Sequence, residues 1–499
     1  MMDRERQARR GRRRNYLSVQ GFLGGLLVVF LVSGCAVGPD YARPETAVPQ
    51  TWRQVSDPAL VPDRTVARDW WTVFDDPLLN RLIAEAARDN LDLRRAVARV
   101  REARARLGVA RGEYFPEADA RGDLSRQRES ENLLRADGST ETFHGVGLDA
   151  SWEIDLFGRI SRQVESARAE YQASEEDRGD VLVSLYAEVA FTYFDLRTFQ
   201  ARLAAAEGNI RSQQEILKLT RSRFRNGLAT GLDVAQAEQV LSASQAEVPP
   251  LRIALTRSIN TMGVLLGKLP GTLFEELSRP EDIPVPPQEV AVGVPANLLR
   301  QRPDIRRAER LLAAQTARIG VATADLYPRL SLNGTFAFES FDAGDLFQGS
   351  SRAFGFGPSV RWLMFDGGRV RSQIQVQDAL AEQALYQYEQ TVLVALNEAE
   401  NALTQYLEQR HRLAALERSV EAARRSLRLA TRLYKDGLVD FQNVLDAQRV
   451  VFDNESQLAA ARGDTVINLV EVYRTLGGGW DPNGSTPEIA EIRKEEVSR

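Results

Sequence analysis

A chain of 499 residues with 43% hydrophobic, 27% charged and only 8% aromatic residues has a globular or helical composition. No segment after the N-terminus reaches the unbroken apolar length of a membrane-spanning helix, which argues against a multi-span helical membrane protein. The formal charge of −5, which becomes about −10 once residues 1–34 are removed, argues against nucleic acid as a partner.

The N-terminus reads as an export signal over residues 1–34: seven arginines between Arg4 and Arg14, an apolar run from Leu17 to Val32, then Ser33-Gly34-Cys35. Val32-Ser33-Gly34-Cys35 resembles a bacterial lipobox, so Cys35 is expected to become the lipid-modified first residue of the mature chain. Cys35 is the single cysteine, and a disulfide within the chain is impossible. Acyl chains at about 0.8 kcal/mol per buried methylene can hold a protein on a bilayer but cannot thread it through, so a pore has to come from elsewhere in the sequence.

The mature chain is written twice, at a spacing of 210 to 212 residues. Asn90-Leu91-Asp92-Leu93-Arg94-Arg95-Ala96 matches Arg302-Pro303-Asp304-Ile305-Arg306-Arg307-Ala308, and Phe115-Pro116 matches Tyr327-Pro328. Trp152 pairs with Trp362, Gly158-Arg159 with Gly368-Arg369, Phe224-Arg225-Asn226-Gly227-Leu228 with Tyr434-Lys435-Asp436-Gly437-Leu438, and Leu266-Gly267 with Leu476-Gly477. The expected divisions are an N-terminal segment 35–76, a first repeat 77–267, a linker 268–296, a second repeat 297–477 and a tail 478–499.

Each repeat reads helix, two strands, long helix, turn, helix. A helix from Leu78 to Glu113 opens the first. Two strands follow with period-two alternation, clearest where Val146, Leu148, Ala150, Trp152, Ile154 and Leu156 take one face and Gly147, Asp149, Ser151, Glu153 and Asp155 the other. A proline-free helix from Gly158 to Asn226 carries a heptad seam through Leu185, Val189, Leu196, Leu217 and Phe224. The helix from Gly231 to Leu266 is expected to kink at Pro249-Pro250. In the second repeat the strands place Leu330, Leu332, Phe336 and Phe338, then Phe354, Phe356, Val360, Trp362 and Met364, on one face. Its long seam runs from Leu385 to Tyr434.

Strands of roughly ten residues, apolar on one side and polar on the other, suit a barrel wall between lipid and water. Four per chain cannot close a barrel whose edges must all be paired in hydrocarbon, so the chain is expected to oligomerise. Two copies would fill their interior with side chains, while three would leave an open lumen.

Taken together, the lipobox, the duplication, the strand pairs and the stacked coiled coils resemble the TolC-like outer-membrane factors, in their lipoprotein (NodT-like) branch. Cys35-Ala36-Val37-Gly38-Pro39-Asp40-Tyr41, Arg302-Pro303-Asp304-Ile305 and Leu476-Gly477-Gly478-Gly479-Trp480 carry the local likeness, which covers nearly all of residues 35–480. The resemblance implies an α+β membrane protein: a homotrimeric 12-stranded β-barrel, four strands per chain, continuous with a long α-helical coiled-coil barrel. It implies an outer-membrane location with a lipid anchor, extension into the periplasm, and a periplasmic adaptor and inner-membrane pump as partners. The function implied is passive exit for the pump's substrates in a tripartite efflux system, or alternatively protein secretion.

The resemblance also assigns the mouth of the channel to the turns Asn226-Gly227-Leu228 and Asp436-Gly437-Leu438. Asp446 is expected as an aperture acid with Arg449 beside it, and Tyr434 and Asp233 as a tie between the two turns. Some members carry a further aperture acid and a basic latch residue where this chain has Asn443 and Val439, so the latch is expected to be weaker or to be arranged around Asp446 and Arg449 alone. Glu117, Asp119, Asp149, Glu153 and Asp155 are expected to line the lumen and to favour cations. No nucleophile elbow, phosphate loop or metal-ligand cluster is present in the sequence, and neither enzyme activity nor a cofactor is expected. A pore-free lipid-anchored scaffold would explain the heptads but leaves the alternating strands without purpose.

Overall fold

The computed structural model describes residues 36–62, 64, 67–128, 130, 132 and 139–481. The expected signal segment, Cys35 and the tail past Asp481 lie outside the described residues.

Helix α1 (Pro77–Asp89) starts where the Asp76 carboxylate accepts the N–H groups of Leu78 and Leu79 at 2.9 and 3.1 Å. It stops at Asn90, which turns extended (ψ 131°). The single helix expected over Leu78–Glu113 is therefore two. The Asn90 side-chain oxygen accepts from Leu93 N (2.9 Å) and its amide donates to the Leu265 carbonyl (2.9 Å), so it caps α2 (Leu91–Gly112) while tying that start to a distant helix end. Strands β1 (Glu117–Arg128) and β2 (Thr140–Ile154) follow, then α3 (Arg159–Arg225), α4 (Gly231–Ala246) and α5 (Val248–Leu265). The break between α4 and α5 falls at Glu247, where Pro249 and Pro250 remove backbone donors.

The second repeat supplies α6 (Pro303–Ala324), β3 (Arg329–Ser340), β4 (Arg352–Arg361), α7 (Arg369–Lys435) and α8 (Phe441–Thr475). Helices α2 and α6 are both 22 residues, β1 and β3 both 12, and α3 and α7 both 67, about 100 Å each at 1.5 Å per residue. The change of offset from 212 to 210 falls within the second strand of each pair. Trp152 donates to the Tyr114 carbonyl (2.9 Å) and Trp362 to the Leu326 carbonyl (3.0 Å), so the two indoles make the same bond across separations of 38 and 36 residues. Trp362 and Met364 lie beyond the end of β4, not within a strand. Where α4 and α5 break, α8 runs 35 residues unbroken, because Ala459 and Ala460 stand where the first repeat has its two prolines.

The described residues divide into two compact units. One contains residues 36–44, 100–173 and 308–388, and in it the four strands form one antiparallel sheet in chain order. Beside the sheet, Leu107, Ala110, Ile160 and Val164 form a small core. The other contains residues 45–99, 174–307 and 389–481. There Trp70 stacks on Tyr473 (5.3 Å between centroids) and Phe74 packs edge-on against Phe194 (4.8 Å). A two-residue parallel pairing joins Leu60–Val61 to Val290–Ala291. The seams are buried at Leu185, Val189, Leu196 and Leu217 in α3 and at Tyr388, Val392, Ala395, Ala399, Ala402 and Tyr406 in α7, while Phe224 is exposed. No described helix is long and apolar enough to cross a membrane.

Candidate functional site

The sheet register decides which side chains share a face. Asp119 stands opposite Asp149, Asp149 opposite Thr335, and Thr335 opposite Gly355; one step along, Leu148 stands opposite Phe336, and Phe336 opposite Phe354. Directly opposed residues of antiparallel strands point the same way, so the alternation in each strand adds up across all four. One face carries Val146, Leu148, Trp152, Leu332, Phe336, Phe338, Phe354, Phe356 and Val360, and most of these are exposed. The other carries Glu117, Asp119, Arg121, Asp123, Ser151, Glu153, Asn333 and Ser359. On the apolar face the charged strand residues are Arg126, Arg128 and Arg352, all at the hairpin ends of their strands.

The five expected lumen acids are not equivalent. Among the described residues Glu117 and Asp119 make no ion pair. Asp149 lies 3.3 Å from the Arg121 guanidinium, which also has Asp123 and Glu339 within 3.9 and 3.6 Å, so the acidic patch is partly neutralised from within. Glu153 is tied to Arg159 (2.8 Å), which holds Glu113 as well (3.1 Å). Asp155 is not a strand residue: β2 ends at Ile154, and the Asp155 carboxylate accepts from Ile160 N, Ser161 N and the Ser161 hydroxyl at 3.1, 2.8 and 2.7 Å. It caps the start of α3, where the helix dipole favours negative charge.

At the other end of the long helices, each turn closes with a left-handed glycine, Gly227 at φ 71° and Gly437 at φ 75°. Leu228 N donates to the Arg223 carbonyl and Leu438 N to the Leu433 carbonyl, both at 2.9 Å, which is the glycine-terminated helix ending in duplicate. Tyr434 is buried in a cluster with Ile216, Leu217, Ala237, Val240, Phe441, Val444 and Leu445, and Val439 packs against it. Burial pushes the Tyr434 phenol up, Thr220 and Arg223 oppose that shift, and the charge of Asp233 adds to it. Asp233 is thus near Tyr434, but its carboxylate is engaged in a capping box: it accepts from Thr230 N (2.8 Å) while the Thr230 hydroxyl accepts from Asp233 N (3.2 Å). The expected Tyr434–Asp233 tie is not among the hydrogen bonds of the described residues. Asp446 and Arg449 are exposed, one helical turn apart on α8 and 4.0 Å from each other, and Gln442 donates to Asp446 at 2.9 Å. Asn443 bonds the Asp440 carbonyl (3.4 Å).

Sequence reasoning missed two arginines. Arg223 reaches from α3 to the second turn. Arg162, nearly buried, donates to the Val37 and Gly38 carbonyls (3.1 and 3.4 Å) and to Asp40 (2.7 Å), holding the first described residues against α3. The glycines around it gave a partial signal: a Cβ on Gly38 would come within 2.4 Å of the Gly320 backbone, and one on Gly158 within 2.5 Å of Ala36.

The sequence model of the family described as Outer membrane efflux protein matches residues 82–268 and again 294–478, two ranges offset by the same 210 to 212 residues. The chain is 32% identical over 452 residues to Nodulation protein T of Rhizobium leguminosarum bv. trifolii, covering 91% of this chain and 96% of that one. It is 31% identical over 462 residues to a protein of Pseudomonas putida described as a probable efflux pump outer membrane protein, TtgC, covering 91% and 94%. Among solved structures, the outer-membrane channel OprN superposes with a TM-score of 0.85 at 39% identity, over 90% of this chain and all of that one. Two family matches, one per repeat, and a sheet whose faces separate apolar from polar side chains make this chain a member of the outer membrane efflux protein family, an outer-membrane channel subunit of efflux.

Proposed function

We propose that three copies of this chain join their four-stranded sheets into a 12-stranded barrel in the outer membrane, apolar face to lipid and polar face to water. The assembly gives passive exit to substrates handed over by an inner-membrane pump through a periplasmic adaptor, and acyl chains on Cys35 anchor each copy. The observation that carries this reading is the sheet: two faces of opposite chemistry, with β1 and β4 as its outer strands. An edge strand in hydrocarbon cannot leave its backbone groups unpaired, so β1 of one copy has to meet β4 of the next. The turns at Gly227 and Gly437 form the periplasmic mouth, with Asp446 and Arg449 around its aperture and Tyr434 beneath. Three copies of Asp446 about one axis repel one another unless solvated, paired or occupied by a cation, which suits an aperture that can open.

The test is assembly and conductance together. Purified protein is expected to run as a heat-resistant trimer in mild detergent and to conduct in planar bilayers; monomers that do not conduct would overturn the proposal. Crosslinking in cells followed by co-purification identifies the adaptor and pump, and with them the substrate class, because the duct itself carries little selectivity.

A further inference from the structure

We infer that Arg223 fastens the mouth within each subunit, supplying from the first repeat the basic latch that Val439 does not provide in the second; the inference rests on reading the two turns as a gate. Arg223 lies in the last turn of α3. Its guanidinium donates through one Nη to the carbonyl of Lys435, the last residue of α7, at 2.9 Å. The other Nη points to the Leu228 carbonyl at 3.5 Å, and the guanidinium carbon sits 4.7 Å from the Tyr434 ring centroid. One side chain therefore touches the first turn, the helix end that leads into the second, and the buried aromatic ring beside them.

Three physical arguments make this a fastening. The last carbonyls of a helix lack intrahelical donors and carry the negative end of its dipole, so a cation there satisfies an orphan acceptor and a charge at once. A planar fork can reach two carbonyls through separate nitrogens while its face lies on a ring, a combination that the compact ammonium of lysine does not reproduce in full. The tie is also asymmetric. At the 210-residue offset Arg223 corresponds to Leu433 and Tyr434 to Phe224, and both Leu433 and Phe224 are exposed. The duplicated turns are alike in backbone, but among the described residues a single arginine cross-connection of this kind joins them, so removing it loosens the α7 end from the α3 end without removing either glycine cap.

The test is conductance of the reconstituted trimer, with heat-resistant trimer yield as a check on folding and Asp446→Ala as an independent reporter of the gate. Arg223→Ala is expected to shift the opening equilibrium about tenfold toward the open state, the scale of one charge-assisted hydrogen bond. Arg223→Lys, which keeps the charge, is expected to fall between alanine and native. In a Tyr434→Ala background, Arg223→Ala is expected to add less than it does alone, because the two side chains act as one contact. If Asp446→Ala changes conductance while Arg223→Ala leaves it native, the fastening is wrong and the gate stands. If neither moves it, the gate reading falls and the fastening with it. Should Arg223→Ala fail to assemble, Arg223→Lys decides: native conductance in assembled Arg223→Lys trimers would refute a role for the fork and the ring.

Discussion

Replacing Phe336 by arginine puts a charge in the middle of the apolar face of the sheet. Strand β3 has 12 residues, which at about 3.4 Å each and a tilt of about 45° cross about 29 Å, close to the hydrocarbon thickness of a bilayer. Phe336 is the eighth of the 12, near mid-depth, between Leu148 on one neighbour and Phe354 on the other. An arginine facing lipid at that depth costs about 2–4 kcal/mol. Loss of the edge-to-face contact with Phe338 (5.6 Å between centroids) adds about 0.5–1.5 kcal/mol. Phe336→Arg is therefore expected to destabilise the barrel by about 3–5 kcal/mol per subunit, read as a lower urea midpoint of protein reconstituted in bilayers. Thr335→Arg is the control: one residue away it faces the other side, opposite Asp149, and is expected to cost nearly nothing. Equal losses from the two substitutions would refute the assignment of faces, and with it the barrel.

Four further outcomes follow from individual contacts. Asp446→Ala removes an exposed carboxylate from the proposed aperture and is expected to raise trimer conductance; an unchanged value would take Asp446 out of the gate. Because Glu117 and Asp119 make no ion pair among the described residues, neutralising both to glutamine and asparagine is expected to move the reversal potential toward lower cation preference, and anion preference in the native pore would contradict the orientation of that face. Gly320→Val places atoms against the Arg162 side chain, 2.7 Å from its Cγ at the Cβ position alone, and is expected to cost about 1–3 kcal/mol, with residues 36–40 becoming accessible to protease in the assembled protein. Burial and the charge of Asp304 push the Asp180 carboxyl above its ordinary value, against the opposing charges of Arg307 and Arg302. A carboxyl raised on folding destabilises the fold when ionised, so Asp180→Asn is expected to raise stability at neutral pH. That gain should disappear as pH falls through the folded-state value, and a gain constant with pH would exclude ionisation as its cause.

Much of this architecture is written in one dimension. Duplication at 210 to 212 residues, the alternation from Val146 to Ile154 and the proline-free heptads fix helix and strand positions, because each depends on local periodicity and backbone chemistry. The kink at Pro249-Pro250 was legible for the same reason: a missing donor acts wherever the residue stands. The bond from Asn90 to the Leu265 carbonyl was not, since its partner lies 175 residues away.

The site divides along the same line. Sequence alone determined that apolar and polar residues alternate, that two glycine turns recur, and that Asp446 and Arg449 lie one turn apart. Only the tertiary structure decided that the four alternations share a common register, that Asp155 caps a helix while Arg121 and Arg159 draw Asp149 and Glu153 into ion pairs, and that Arg223 reaches Lys435 across 212 residues of chain. A side chain's period is a property of its own backbone, whereas its charge acts on whatever folding brings within a few ångströms.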